Sequence, residues 1–309
     1  MPYATATPQT AAAPVMKLRA SVPESAMTAE LLGTDREGLA IRFRDDGLAV
    51  TVGYLCLEAS ELWLSSDNGE TAPAHLIAQD VESGLALVRP DISIGSAIYR
   101  FGDGATRAGQ SVRVVNGPGD PALSCNVFAV GEFAGRWEYL IDEAIYTVPA
   151  CDNWSGAALM DMHGGLIGVG SLFLELPGGG KPVYGNLFVP VSLIAPHIDD
   201  LCLHGTRRTA PIPWMGWMVQ EHKGALLVVG IYPGGPAGRA GVRIEDVVTA
   251  VNGAAVASMS ELFRTVRAAG AAGCEVVATI RNDAGARDVR VQTTDRNAFF
   301  QALESGPIN

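Results

Sequence analysis

A chain of 309 residues with 48% hydrophobic and 18% charged side chains can build two domains with their own cores, which excludes a disordered or low-complexity protein. The net charge of −11 is spread along the chain; it reads as general solubility and argues against a nucleic-acid partner, whose phosphates require Lys and Arg. No segment approaches the roughly 18 apolar residues of a membrane span, so no membrane partner is expected. The start has neither a basic n-region nor the apolar run of a signal peptide. The five cysteines (Cys56, Cys125, Cys151, Cys202 and Cys274) are scattered, odd in number and without a CxxC pair. They read as reduced thiols of a cytoplasmic protein. Only Cys202 and His204 come near metal-ligand spacing, so neither a metal nor a cofactor is expected.

In chain order, residues 1–22 are rich in Ala, Thr and Pro and read as a flexible arm. Residues 23–204 alternate short apolar runs with turn signals, among them GLAIRF, GLAVTVGYL, SELWLSS, GLALVRPD, EAIYTVPA and GNLFVPVSLI. Many strands with few helical stretches predict an all-β sandwich or barrel. VSLIAPHIDDLCLH is the first helix candidate. The basic, Pro-containing link at 205–212 is the best domain boundary. A second unit spans 213–296: WMGWMV and GALLVVGIYP read as strands, and PAGRAG opens a short helix. SMSELFRTVRAAG carries a capping-box pattern, Ser258 with Glu261, followed by Met259, Leu262, Phe263 and Val266 at helical spacing. A hairpin around Asp283 to Gly285 closes the unit, and 297–309 reads as a tail.

Two stretches then stand out together. CDNWSGAALMDMHGGLIGVGS, from Cys151 to Ser171, has a serine before a glycine, small residues, a glycine turn and an apolar strand. GGPAGRAGVRIEDVVTAVNGAAVASMSEL runs from a small-residue turn through an Ala-Gly step and an acidic-Val pair to an Asn-Gly turn. With these motifs in this order, the chain resembles the HtrA (high-temperature requirement, Deg-type) family over roughly Gly38 to Thr293. The resemblance implies a mainly β protein, a trypsin-like double β-barrel followed by an α+β PDZ domain. It also implies a homo-trimer formed through the barrels, with N-terminal aromatics at its axis; Tyr3 is the only aromatic in the arm.

Set against the family's pattern, the catalytic slots are altered. GLAVTVGY puts Tyr54 in the histidine slot. DVESGLALV keeps the first acid, Asp80, but puts Gly84 in the catalytic aspartate slot. Ser155 is retained, and Asn153 occupies the oxyanion-hole slot where the family has glycine; Asn tolerates positive φ better than most residues. Trp154 beside the serine either caps the specificity pocket or is core packing. A serine hydroxyl needs a base within hydrogen-bond reach, and that base needs an orienting group. Tyr54 is a poor base near neutral pH. These readings predict a catalytically inactive pseudoprotease with a vestigial Ser155. The alternative is a serine hydrolase using Ser155 with a non-standard base, for which Lys181 is the nearest candidate by sequence.

The PDZ resemblance implies a groove that takes an extended peptide, usually a C-terminus, by strand addition. It maps the carboxylate loop to Trp214, Met215, Gly216, Trp217 and Met218, and the facing helix pocket to Leu262 and Val266. The expected partner is therefore a protein or peptide, and the expected role that of a scaffold, adaptor or chaperone-like factor.

Overall fold

In the computed structural model, residues 14–304 are described except 96, 103 and 179. Alternating sequence builds the first barrel. In β1 (Val15–Ser21), Met16, Leu18 and Ala20 face inward while Lys17 and Arg19 face solvent, the period of two expected of a strand with one buried face. It is joined by β2 (Asp35–Arg42), β3 (Ala49–Val52), β4 (Glu61–Ser65), β5 (Thr71–Asp80) and β6 (Leu85–Pro90). They close in the order β1-β2-β3-β6-β5-β4. The stretch Val15–Ser21, expected within the flexible arm, is thus a barrel strand, since closure leaves no edge without it. Tyr3 lies outside the described residues.

The second barrel contains β7 (Ser111–Val115), β8 (Leu123–Gly135), β9 (Tyr139–Val148), β10 (Ala158–Met160), β11 (Leu166–Leu176) and β12 (Val183–Pro190), closed in the order β10-β11-β12-β9-β8-β7. Apolar side chains of both barrels meet in one core, with Val15, Leu39, Leu85 and Leu87 in the same cluster as Leu159, Val169 and Phe188. The helix expected near residue 191 begins as two short 3-10 turns and becomes α-helical only at Ile198–His204. Gly205 ends it in the left-handed conformation, as a C-terminal cap requires.

The link that follows is not free. Arg207 turns inward and grips the buried Asp80 with two contacts of 2.7 Å, and it also reaches Glu82 and the Leu193 carbonyl. Beyond it lies a sheet with the strand path Trp217–His222, Ala225–Ile231, Val247–Val251, Glu275–Asn282 and Gly285–Gln292, in that order. Ala254–Ala255 pairs with the third of these. The first strand, Trp217–His222, and the last, Gly285–Gln292, are the outer ones. One helix, Met259–Ala268, packs on the sheet through Leu262, Phe263 and Val266. Its start is capped as the sequence predicts: Ser258 Oγ accepts from the Glu261 N–H at 3.1 Å, while Glu261 accepts from the Ala257 N–H at 2.8 Å. The expected tail is largely a helix, Arg296–Glu304. Its Phe299 and Phe300 close an aromatic cluster with Trp214 and Tyr232 that also takes in Leu57 of the first barrel.

Candidate functional site

Ser155 lies half-buried where the two barrels meet; its carbonyl accepts from the Leu39 N–H of the first barrel at 2.8 Å. Tyr54, in the short 3-10 turn after β3, comes from that same barrel. Its hydroxyl lies 2.8 Å from Ser155 Oγ and 2.8 Å from the Ser171 carbonyl. A phenol has a single proton, and a carbonyl can only accept. The Tyr54 O–H therefore donates to Ser171, and the Ser155 hydroxyl donates to Tyr54 Oη. Burial pushes the Tyr54 phenol above its ordinary value, against the opposing effect of hydrogen bonds with Ser155 and Trp154. The phenolate, the only form able to take the serine proton, is thereby disfavoured.

Gly84, in the turn between β5 and β6, has φ +76°, and its carbonyl accepts from the Gly53 N–H at 2.8 Å. A Cβ there would sit 3.1 Å from the Tyr139 ring. The two nearby carboxylates are engaged elsewhere, since Asp80 and Glu82 both pair with Arg207. Among the described residues, no histidine or carboxylate hydrogen-bonds to Ser155 or Tyr54; His75, for instance, pairs with Asp91 on the surface. Lys181 is exposed in the turn between β11 and β12.

Asn153 is exposed, and positive φ among the non-glycine residues falls elsewhere in the chain, so its tolerance of that conformation is not called upon. Trp154 packs at 5.5 Å against Phe173, which stacks on Tyr184. Trp154 is half-buried against the barrels' core, and with Phe173 41% and Tyr184 50% exposed the aromatic ladder runs from there out to the surface.

The second constellation lies in the smaller domain. The backbone N–H groups of Met215, Gly216 and Trp217 converge, and Gly216 has φ +74° with Pro236 so near that a Cβ would meet it at 2.7 Å. A side chain would block this turn, which is why glycine stands here. The amides hold a carboxylate from the other domain: Glu138 accepts from Met215 at 3.0 Å, Gly216 at 2.9 Å and Trp217 at 3.4 Å. Glu138 ends the three-residue turn between β8 and β9. Its carboxyl is enclosed although the residue as a whole is half-buried, and burial pushes it up to about 7 against the pull of the amides and of Arg296.

Of the loop and pocket residues expected from sequence, Met215, Gly216 and Trp217 do form an amide cradle, with Met218 half-buried beside it. Leu262 and Val266 lie fully enclosed in one cluster with Leu140 from β9. The Trp214 ring does not face that groove: it packs with Tyr232, Phe299 and Phe300, where its apolar area is covered by the last helix. Trp217, completely buried, is core. Glu138, Leu140, Arg207 and Arg296 escaped the sequence reading. Their only local signal was a glutamate in a tight turn, where glycine is more usual.

Two closed six-stranded barrels with a serine between them, followed by a small sheet with an amide-lined loop, define a trypsin-like double barrel joined to a PDZ domain. The family model described as PDZ domain matches residues 227–277. A probable periplasmic DegP-like serine endoprotease of Brucella suis biovar 1 is 28% identical over 249 residues, covering 74% of this chain and 47% of that protein. The periplasmic pH-dependent serine endoprotease DegQ of Escherichia coli is 28% identical over 236 residues, covering 70% and 50%. Among solved structures, the HtrA-type protease AlgW with decapeptide superposes with a TM-score of 0.53 at 20% identity, over 93% of this chain and 96% of that one. The serine endoprotease from Yersinia pestis gives 0.52 at 19%, over 92% and 94%. The chain is similar in sequence to DegP-like and DegQ serine endoproteases and shares the fold of HtrA-type proteases, and it spans about half the length of the curated relatives it matches. Those relatives are periplasmic by name, which overturns the expectation of a cytoplasmic protein. All five cysteines are unpaired. Cys56 and Cys151 are so buried that their thiols are pushed up to about 12, so their reduced state reflects burial and is no marker of compartment.

Proposed function

We propose that this chain is a catalytically inactive HtrA-like protein of the periplasm that binds polypeptide through its PDZ domain, as a scaffold, adaptor or chaperone-like factor. One observation carries the loss of catalysis: the partner of the Ser155 hydroxyl is the Tyr54 phenol, whose own proton is committed to the Ser171 carbonyl. With Tyr54 in the histidine slot and Gly84 in the aspartate slot, no described histidine or carboxylate stands ready to take the serine proton or to orient a base. The amide cradle at Met215–Trp217 supports the binding role, because a carboxylate already occupies it.

A second reading, a serine hydrolase using Ser155 with a non-standard base, draws on the retained serine and on relatives named as endoproteases. A fluorophosphonate probe separates the two. We expect no labelling of the purified chain under conditions that label an active trypsin-like protease. Labelling that disappears in Ser155→Ala overturns the inactive reading.

A further inference from the structure

A polypeptide C-terminus bound by strand addition would need three things from the PDZ groove: amides for its carboxylate, a backbone partner on the outer strand, and an apolar pocket for a side chain. The β8–β9 hairpin already takes all three. Glu138 fills the amide cradle. The Arg136 carbonyl accepts from the Val219 N–H of the outer strand Trp217–His222 at 3.3 Å. Leu140, 6% exposed, is buried with Leu262, Phe263 and Val266. Further contacts hold the hairpin along the groove. Arg264 of the groove helix pairs with Glu132 at 2.6 Å and with Asp142, one on each hairpin strand. Arg267 reaches the Leu140 carbonyl at 3.4 Å, and Arg296 holds the Trp137 carbonyl at 3.0 Å.

The hairpin's own backbone favours the same assignment. Gly135 pairs with Tyr139, leaving Arg136, Trp137 and Glu138 as the loop, and Glu138 closes it at φ +63°. In three-residue hairpins this left-handed position is where glycine is easiest. A non-glycine residue persists in such a conformation only when its surroundings hold it there. The local backbone would be better served by glycine; the distant amides are what a glutamate serves.

We infer that the β8–β9 hairpin is an internal ligand of the PDZ groove, and that an external polypeptide ending in a free carboxylate and an aliphatic side chain binds only by displacing it. The inference rests on the peptide-binding reading above and adds its regulation. Apparent affinity for an outside ligand is lowered by the fraction of molecules in which the groove is open, so an opening of one molecule in ten or fewer weakens binding by about tenfold or more.

The test uses the full chain and a fluorescein-labelled decapeptide pool, random except for a C-terminal leucine, prepared with a free carboxylate and as the amide. Glu138→Gly removes the carboxylate while easing the turn, so it leaves the hairpin foldable. Arg264→Glu, an exposed change, places like charges against Glu132 and Asp142. Amide exchange at Gly216 and Val219 reports whether the hairpin is docked. We expect both variants to bind the free-acid pool at least about tenfold more tightly than the native chain, to ignore the amide pool, and to exchange faster at both amides. Equal binding by all three chains overturns the internal ligand while sparing the peptide-binding reading. Faster exchange without peptide binding by any chain overturns both. Unchanged exchange in both variants shows that these contacts do not hold the hairpin, and also overturns the inference.

Discussion

The Tyr54 hydroxyl proton decides the chemistry at Ser155. Because it goes to the Ser171 carbonyl, the phenol oxygen is left as an acceptor for the Ser155 proton, which is what the proposed loss of catalysis rests on. Tyr54→Phe keeps the ring but leaves the Ser155 hydroxyl and the Ser171 carbonyl without this partner. The expected loss is about 1–3 kcal/mol in urea unfolding, and a change below about 0.5 kcal/mol would show that the network is not formed in solution. Restoring histidine is not expected to restore turnover. In the proposed reading the acid slot falls on Gly84, a left-handed glycine against the Tyr139 ring, and Asp80 and Glu82 answer to Arg207. A histidine without its orienting acid is poorer by on the order of 10⁴ in established triads. Tyr54→His should therefore show no casein cleavage above background. Measurable cleavage abolished by Ser155→Ala would mean that the empty acid slot is not the obstacle.

At the scale of elements, the link and the hairpins do more than their sequences announce. Arg207 joins the interdomain link to a carboxylate only 2% exposed, so Arg207→Ala strands a buried charge. Removing one member of such a pair costs about 3–5 kcal/mol, and the expected readout is a lowered midpoint of chemical unfolding for the barrel. If the midpoint moves by less than 1 kcal/mol equivalent, Asp80 finds water or another partner. Elements with strong local periodicity were legible in the sequence: the alternating runs from GLAIRF onward became barrel strands, and the Ser258 cap began its helix where expected. Two terminal elements were not. Met16, Leu18 and Ala20 alternate as a strand should, but they follow a Pro- and Ala-rich stretch that masks the pattern. Phe299 and Phe300 gain their meaning only from Trp214 and Tyr232, far back in the chain. Within the proposed catalytic slots, the identities of Tyr54, Gly84 and Ser155 came from a resemblance alone. The direction of the Tyr54 proton could not be read from it, because it depends on a carbonyl 117 residues away. Nor could the role of Glu138, whose amides lie 77 to 79 positions further on; no local spacing encodes a carboxylate donated across domains.

At the scale of the whole molecule, docking of the PDZ domain on the second barrel buries one carboxyl, and this makes the docking sensitive to pH. The groups facing Glu138 are the three amides, the guanidinium of Arg296, which also lies over the Tyr139 ring, the more distant Arg267, and the phenol of Tyr232. Burial outweighs the favourable partners, so the docked carboxyl is raised from 4.5 to about 7. The docked state thus binds its proton more tightly than the undocked one. Below about 4.5 both forms are protonated and docking does not change with pH. Between about 4.5 and about 7 the undocked carboxyl ionises first, so docking weakens as pH rises, and above about 7 it weakens no further. A displacement of this size corresponds to at most about 3.5 kcal/mol across the window. Raising the pH from 5 to 7 should accordingly speed amide exchange at Gly216 and Val219 beyond its intrinsic pH dependence, and should tighten binding of a free-acid peptide. Glu138→Gln holds the side chain neutral throughout and should flatten both profiles. A native chain whose corrected exchange runs parallel to that of Glu138→Gln from pH 5 to 7 would show that the buried carboxyl is not what couples docking to pH.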